Sequence, residues 1–218
     1  MSFLKAIGSF GAVVLTLFAG CAPDDIRTDF PPGLEPLDAD NKASYPEAEG
    51  DDVYPERLNA VSGEADDYDW VATRGYVHAS LEEAWEAIRS PEVSRDHTID
   101  DWRFTRDSDP AYDYTYTQHY TVHDLITISF DVSFRHSAIE GRKEKPLVVA
   151  GRYKKIFGTS YITLLDGSIV ARKVDDHTTA IELIEHLDAT ATGTSSIENY
   201  LREYYGNIVA AVHGNHAL

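Results

Sequence analysis

Residues 70–88 read WVATRGYVHASLEEAWEAI and combine a strand, a helix cap and a helix in direct succession. From Val71 to Ala79, every second side chain is apolar or small, which indicates a β-strand with one buried face. Ser80 and Glu83 then form a capping box, in which the two side chains satisfy free amide groups at a helix start. Apolar residues recur at helical spacing from Leu81 to Ile88, so the strand leads directly into an amphipathic helix.

Downstream of this unit, the sequence predicts a short helix and then a series of antiparallel strands. Ser90-Pro91 favours a second short helix, because proline is tolerated at the first helical position. Two-residue periodicity then predicts strands with one dry face, with Trp102, Phe104, Tyr112, Tyr114, Tyr116, Tyr120, Val122, Ile126, Ile128, Phe130, Val132 and Phe134 on that face. Further strands are predicted at 147–157, 161–174 and 178–189, and Asp166-Gly167 is either a bulge or an additional turn.

The chain ends in a long amphipathic helix. Its predicted start is a second capping box from Ser195 to Glu198, and Gly214 is a suitable C-terminal cap. The apolar stripe of this helix consists of Ile197, Leu201, Tyr204, Ile208 and Val212. The predicted fold class is therefore α+β.

The element order and the stretch from Gly75 to Ile88 resemble the START-like helix-grip superfamily (SRPBCC), which includes polyketide cyclase-like and lipid-transfer proteins. The resemblance covers roughly residues 69–214. It implies a curved antiparallel sheet of about six to seven strands that grips the C-terminal helix, with two short helices after the first strand. It also implies an apolar cavity between sheet and helix, lined here by Tyr114, Tyr116, Tyr120, Phe130, Phe134, Tyr153, Leu201, Tyr204 and Ile208. The alternative is that these aromatic residues simply fill the interior.

Glu185 is the one charged residue that strand parity brings to the dry face of the last strand. The inward set Thr179, Ile181, Leu183, Glu185 and Leu187 is drier than the alternate set. Burial would raise the pKa of Glu185 and make it a candidate acid or base. The favoured interpretation is instead that Glu185 lies solvated near the rim of the sheet, or pairs with Arg152 or Lys155.

The N-terminus has the pattern of a secretion signal. Lys5 precedes an apolar stretch from Ala6 to Phe18, which is too short to span a bilayer. The ending Phe18-Ala19-Gly20-Cys21 resembles the lipobox of bacterial lipoproteins, with Phe18 in place of the usual aliphatic residue. The resemblance implies that Cys21 carries a lipid and that, with Ala22 after it, the protein is sorted to the outer membrane and faces the periplasm. The alternative is a chance or buried cysteine after an ordinary signal peptide.

Charge divides the remaining chain into two parts. Residues 22–68 hold fourteen acidic and three basic side chains together with six prolines, a composition typical of disordered segments. The predicted organisation is a signal peptide at 1–20, an acidic tether at 21–68 and a helix-grip domain at 69–218. An alternative for residues 50–60 is a docked arm in which Val53, Tyr54 and Leu58 pack onto the domain.

Composition and motif searches exclude several functional classes. The net charge of -18 argues against nucleic-acid binding, and a single cysteine excludes an intramolecular disulfide or a cysteine-based zinc site. His119 and His123 would lie about 13 Å apart along a strand, and His213 with His216 lacks a nearby carboxylate, so no metal is predicted. No phosphate-loop, dinucleotide-binding or hydrolase motif is present, and no cofactor is expected.

Three functions remain as hypotheses. The first is a lipid-anchored protein that binds an apolar or amphipathic, lipid-like ligand in its cavity. The second is a non-catalytic module with a filled cavity that contacts a partner in the cell envelope. The third is a cyclase- or dehydratase-type enzyme with Glu185 or a cavity tyrosine in acid–base catalysis.

Overall fold

A computed structural model describes residues 24–99, 101–123, 127–190 and 192–214 of the chain. These residues form nine strands and two α-helices. The elements are β1 Asp25–Arg27, β2 Leu58–Glu64, β3 Asp69–Val77, α1 Leu81–Ile88, β4 Asp101–Arg106, β5 Tyr114–His123, β6 Thr127–Arg142, β7 Lys145–Thr159, β8 Ile162–Lys173, β9 Thr179–Ala189 and α2 Thr194–Val212. The predicted α+β class is confirmed.

All strand pairs are antiparallel and belong to one large curved sheet, ordered β2-β3-β9-β8-β7-β6-β5-β4. Strand β7 pairs with β8 as far as Lys154 and then with the short β1 over its last residues. Both helices pack on one face of this sheet, where Val71, Leu81, Leu183, Leu201 and Ile208 belong to the main hydrophobic core. Burial of these side chains holds α2 against the sheet.

The helix boundaries confirm some local predictions and correct others. Ser80 and Glu83 form the predicted capping box, with both reciprocal hydrogen bonds present. The prediction of a second short helix is wrong, because residues 91–94 form turns only. The prediction of a capping box at Ser195 is also wrong, because α2 begins at Thr194 and its N-cap is Gly193, which offers no side-chain hydrogen bond.

Residues 24–68 do not form the predicted disordered tether, and residues 34–45 of this segment pack on the sheet face opposite α2. Strands β1 and β2 come from this segment and enlarge the sheet beyond the six to seven strands expected. Leu34, Asn41 and Ala43 are buried, and the Asn41 Nδ2 donates a 3.0 Å hydrogen bond to the carbonyl of Thr73. Of the residues proposed for a docked arm, Leu58 contacts the core, whereas Val53 is 61% exposed.

The packing of this acidic segment is explained by the side chains beneath it. Arg74 donates to the carbonyl of Ala43 at 3.0 Å, and Arg152 donates to the carbonyl of Glu35 at 2.8 Å. A further contact of 3.3 Å joins Asp38 Oδ2 to His186 Nε2. The outer face of the sheet therefore supplies the donors and positive charges that the segment needs to become ordered.

Candidate functional site

A cavity of about 270 Å³ lies between the inner face of the sheet and the first half of α2. Its lining consists of Asp96, Ile99, Gln118, Tyr120, Val122, Ile128, Phe130, Val132, Phe134, Tyr153, Tyr161, Ile162, Leu165, Glu185, Leu187, Ala189, Thr190, Thr192, Ser196, Ile197 and Tyr200. Most of these residues are apolar or aromatic, as is typical of pockets for small organic ligands. Thr190, Thr192 and Ser196 are exposed, so the cavity opens where β9 passes into α2.

The apolar wall follows from the alternation of β6. Ile128, Phe130, Val132 and Phe134 are spaced by two residues, so all four project from the same face of the sheet. All four line the cavity, and the last three are buried. The two-residue periodicity of the sequence therefore builds one continuous apolar surface.

The deep end of the cavity is polar. The Tyr153 hydroxyl donates a 2.6 Å hydrogen bond to Glu185 Oε2, and both side chains are buried. In the sheet, Tyr153 on β7 is paired with Gly167 on β8, which is paired in turn with Glu185 on β9. Because Gly167 has no side chain, the tyrosine ring can cross the middle strand and reach the carboxyl group. Asp166-Gly167 is thus neither a bulge nor a turn, since the pairing runs through it without a register shift.

Burial raises the pKa of Glu185 to about 8. The hydrogen bond from Tyr153 lowers this pKa in part, while the negative charges of Asp96 and Asp166 raise it. Burial and the nearby Glu185 also raise the pKa of Tyr153 well above its ordinary value. At neutral pH the pair therefore holds both protons, and the Glu185 carboxyl group can donate one.

The favoured interpretation of Glu185 was wrong, although its predicted inward parity is confirmed. Glu185 is only 4% exposed and does not pair with either predicted cation. Arg152 forms a salt bridge with Asp166 at 2.7 Å. Lys155 Nζ donates instead to the carbonyls of Thr159 at 2.9 Å and Ile162 at 2.5 Å.

Gln118 and Asp96 also line the cavity and were not predicted. Gln118 Nε2 donates to the carbonyl of Pro91 at 2.7 Å, and its Oε1 accepts a hydrogen bond from the Tyr120 hydroxyl. The signal for Gln118 was present, because it shares strand parity with Tyr116 and Tyr120. Asp96 lies in the turn region after α1, where no periodicity predicts its direction.

The structure divides the predicted ligand-binding residues into two groups. Those that line the cavity are Tyr120, Phe130, Phe134, Tyr153 and Glu185. Those that do not line it, contrary to expectation, are Tyr114, Tyr116, Leu201, Tyr204 and Ile208. The latter fill space elsewhere: the Tyr116 ring stacks on Phe134 with centroids 4.7 Å apart, and the Tyr204 hydroxyl donates to the carbonyl of Ile88 at 3.2 Å. Tight packing of this half of the interior leaves the cavity at the other end of the sheet.

Several histidines each contact a single carboxylate. His119 Nδ1 lies 2.8 Å from Asp131, and His213 Nε2 lies 2.9 Å from Glu56. Within the described part of the chain, no group of three or more potential ligands could hold a metal ion. His216 and Cys21 lie outside the described residues.

Among the helices that the structure describes, none is long and apolar enough to cross a membrane.

Comparison with known proteins gives matches at the level of structure. No family model matches the chain, and no curated protein sequence matches it. The human StAR-related lipid transfer protein 5 aligns with a TM-score of 0.55 at 12% identity, covering 83% of this chain and 90% of its own. The lipid transfer and protein localization domain of human StarD13 aligns at 0.51 and 9% identity, covering 76% and 87%. Human STARD10 aligns at 0.51 and 6% identity, covering 78% and 73%. The chain therefore has the helix-grip fold.

Proposed function

We propose that this protein binds a small apolar or amphipathic, lipid-like molecule in the cavity between α2 and the sheet. The observation that carries the proposal is the 270 Å³ cavity itself, with its apolar wall and single polar end. Structures named as lipid-transfer proteins share the fold, which makes this use of the cavity physically reasonable. A module with a filled interior is less compatible with such a cavity.

Ligand extraction tests this function directly. The full-length chain purified from its source should retain a small molecule that native mass spectrometry detects and organic solvent removes. Leu165→Trp introduces a large side chain into the cavity and should abolish retention. Leu147→Trp is a matched control, because Leu147 is 50% exposed and does not line the cavity. Equal retention by both variants would contradict binding in this cavity.

Lipid anchoring through Cys21 is a further part of the proposal. Its support is the lipobox-like sequence and the position at which the chain enters the fold: the Ser160 amide donates to the carbonyl of Asp24 at 3.0 Å, next to the cavity-lining Tyr161 and Ile162. Cys21 is three residues before Asp24, a span of at most about 11 Å. A lipid on Cys21 would hold this side of the cavity close to a bilayer, at the periplasmic face of the outer membrane.

Metabolic labelling tests the anchor. In a bacterial host supplied with a radiolabelled fatty acid, the full-length chain should acquire label and fractionate with the outer membrane. Cys21→Ser should remove the label, since the chain has no other cysteine, whereas Ala22→Ser should retain it. An unlabelled wild-type protein would contradict anchoring without affecting the ligand-binding proposal.

One observation favours an acid–base enzyme as a second candidate. Glu185 lines the cavity, has a pKa of about 8 and is hydrogen-bonded to Tyr153, as a general acid would be. Such an enzyme should exchange protons of its extracted ligand with D₂O, and Glu185→Gln should stop this exchange. Identical exchange in the two proteins would exclude the role of Glu185.

A further inference from the structure

The charged groups that line the cavity are all acidic in the part of the chain that the structure describes. They are Asp96 and Glu185, and neither lysine nor arginine contributes to the lining. The buried Lys155 does not line the cavity and is directed to the backbone carbonyls of Thr159 and Ile162. Once Glu185 is ionised, a positively charged ligand would be attracted to both acids, whereas an anionic ligand would meet no lysine or arginine in the lining.

Six aromatic rings also line the cavity, those of Tyr120, Phe130, Phe134, Tyr153, Tyr161 and Tyr200. The face of an aromatic ring attracts cations. Tyr120 stacks on Phe130, and Phe134 stacks on Tyr153, so these faces are partly covered by other rings. The charge preference of the cavity therefore depends on the two acidic side chains.

Glu185 has one oxygen available to such a group. Its Oε2 accepts the hydrogen bond from Tyr153, while Oε1 has no hydrogen-bond partner among the described residues. The side chain is 4% exposed and lines the cavity, so a ligand in the cavity can reach it.

We propose, on the basis of the ligand-binding function above, that the cavity selects a small cationic amphiphile, with an ammonium group beside Glu185 and an apolar chain or ring against β6. The cavity volume of about 270 Å³ gives room for one short chain or small ring system of this kind.

Calorimetric titration of the full-length chain at pH 9, where Glu185 is mostly a carboxylate, with octylamine, octanol and octanoate tests the charge preference. Octylamine should bind at least about tenfold more tightly than the other two, because it alone carries a positive charge. Glu185→Gln should abolish this preference. Glu182→Gln is the matched control: it lies on the same strand but pairs with Arg74 on the opposite face, and should retain the preference.

The pH dependence provides a measurement that needs no variant. Octylamine binding requires the carboxylate form of Glu185, so its affinity should rise by up to about tenfold per pH unit from pH 6 towards pH 8. The other titratable groups around Glu185 are Tyr153 on β7, Tyr200 on α2, Asp166 on β8 and Asp96. Burial raises the pKa of both tyrosines well above the ordinary value, so they keep their protons in this range.

The outcomes separate this proposal from the one on which it rests. Equal affinities for the three ligands, or a preference for octanoate, would overturn the charge preference and leave the binding function intact. Failure of all three to bind would count against the binding function itself. An octylamine affinity that is flat with pH would overturn the role of Glu185.

Discussion

The ring of Tyr153 lies directly over the backbone of Gly167. A Cβ atom placed on Gly167 would be 1.8 Å from Tyr153 Cζ, far inside van der Waals contact. This close approach is what allows the tyrosine hydroxyl to reach Glu185 two strands away. The polar end of the cavity thus depends on a residue that contributes no functional group.

Gly167→Ala should displace the Tyr153 ring and break its hydrogen bond to Glu185. Overpacking and the lost hydrogen bond should lower the free energy of unfolding by about 2 to 4 kcal/mol, measured by urea denaturation. Gly206→Ala is the control, because nothing lies within 4 Å of a Cβ there, and alanine in helix α2 should stabilise by up to about 1 kcal/mol. Equal stability of the two variants would contradict the close approach.

Glu185 should make stability fall as the pH rises. In the folded protein its pKa is about 8, against an ordinary value of 4.5, so the folded state holds a proton that the unfolded chain releases. The contribution of this proton to the free energy of unfolding is complete below pH 4.5 and is lost progressively up to pH 8. Its total is on the order of 5 kcal/mol. Glu185→Gln cannot ionise, so its stability relative to wild type should increase from pH 5 to 8 and then level off in chemical denaturation. A difference that does not change with pH would argue that Glu185 is not buried.

Tyr153→Phe should raise the pKa of Glu185 further, because in the wild type the hydrogen bond from Tyr153 stabilises the charged carboxylate and lowers this pKa. Carbon-13 NMR titration of labelled glutamate side chains would follow this pKa directly. Tyr204→Phe is the control: its hydroxyl also donates a buried hydrogen bond, but to the carbonyl of Ile88. Each variant should lose about 1 kcal/mol of stability, and only the first should move the Glu185 titration.

Asn41→Ala should destabilise the protein, contrary to what a free tether would predict. The Asn41 side chain donates to the carbonyl of Thr73 and accepts from the amide of Ala43, both at 3.0 Å. Its removal leaves these buried groups unpaired and should lower the free energy of unfolding by about 1 to 3 kcal/mol. Asp40→Ala, at an exposed neighbouring position, should have little effect. Hydrogen exchange should also show a protected amide at Ala43 in the wild type.

Local chemistry made much of the fold predictable. The alternation along β5 and β6, the capping box at Ser80 and the stripe on α2 each depend on neighbours within a few residues in the chain. The inward parity of β9 is equally local and correctly placed Glu185 in the dry face. The helix-grip arrangement itself was implied by the resemblance of the element order to a known superfamily.

The low hydrophobicity of residues 24–68 predicts a disordered tether. The composition of the segment does not show that the sheet offers a surface on which it can pack. The outer face of β9 argues against a free tether. Ala180 and Ile184 belong to its outward-facing set, yet both are buried. A strand that is apolar on both faces must be covered on both faces. The N-terminal segment supplies that second cover.

The sequence by itself determined the strands from β3 to β9, the two α-helices and which of their faces avoid water, because period and capping are properties of short stretches of chain. Only the tertiary structure decided what covers each face, where the interior remains open, and that Tyr153 crosses Gly167 to reach Glu185. The shifted pKa of Glu185 belongs to the second category, since it arises from burial and from Tyr153, Asp96 and Asp166, which are distant in sequence and adjacent only in the fold.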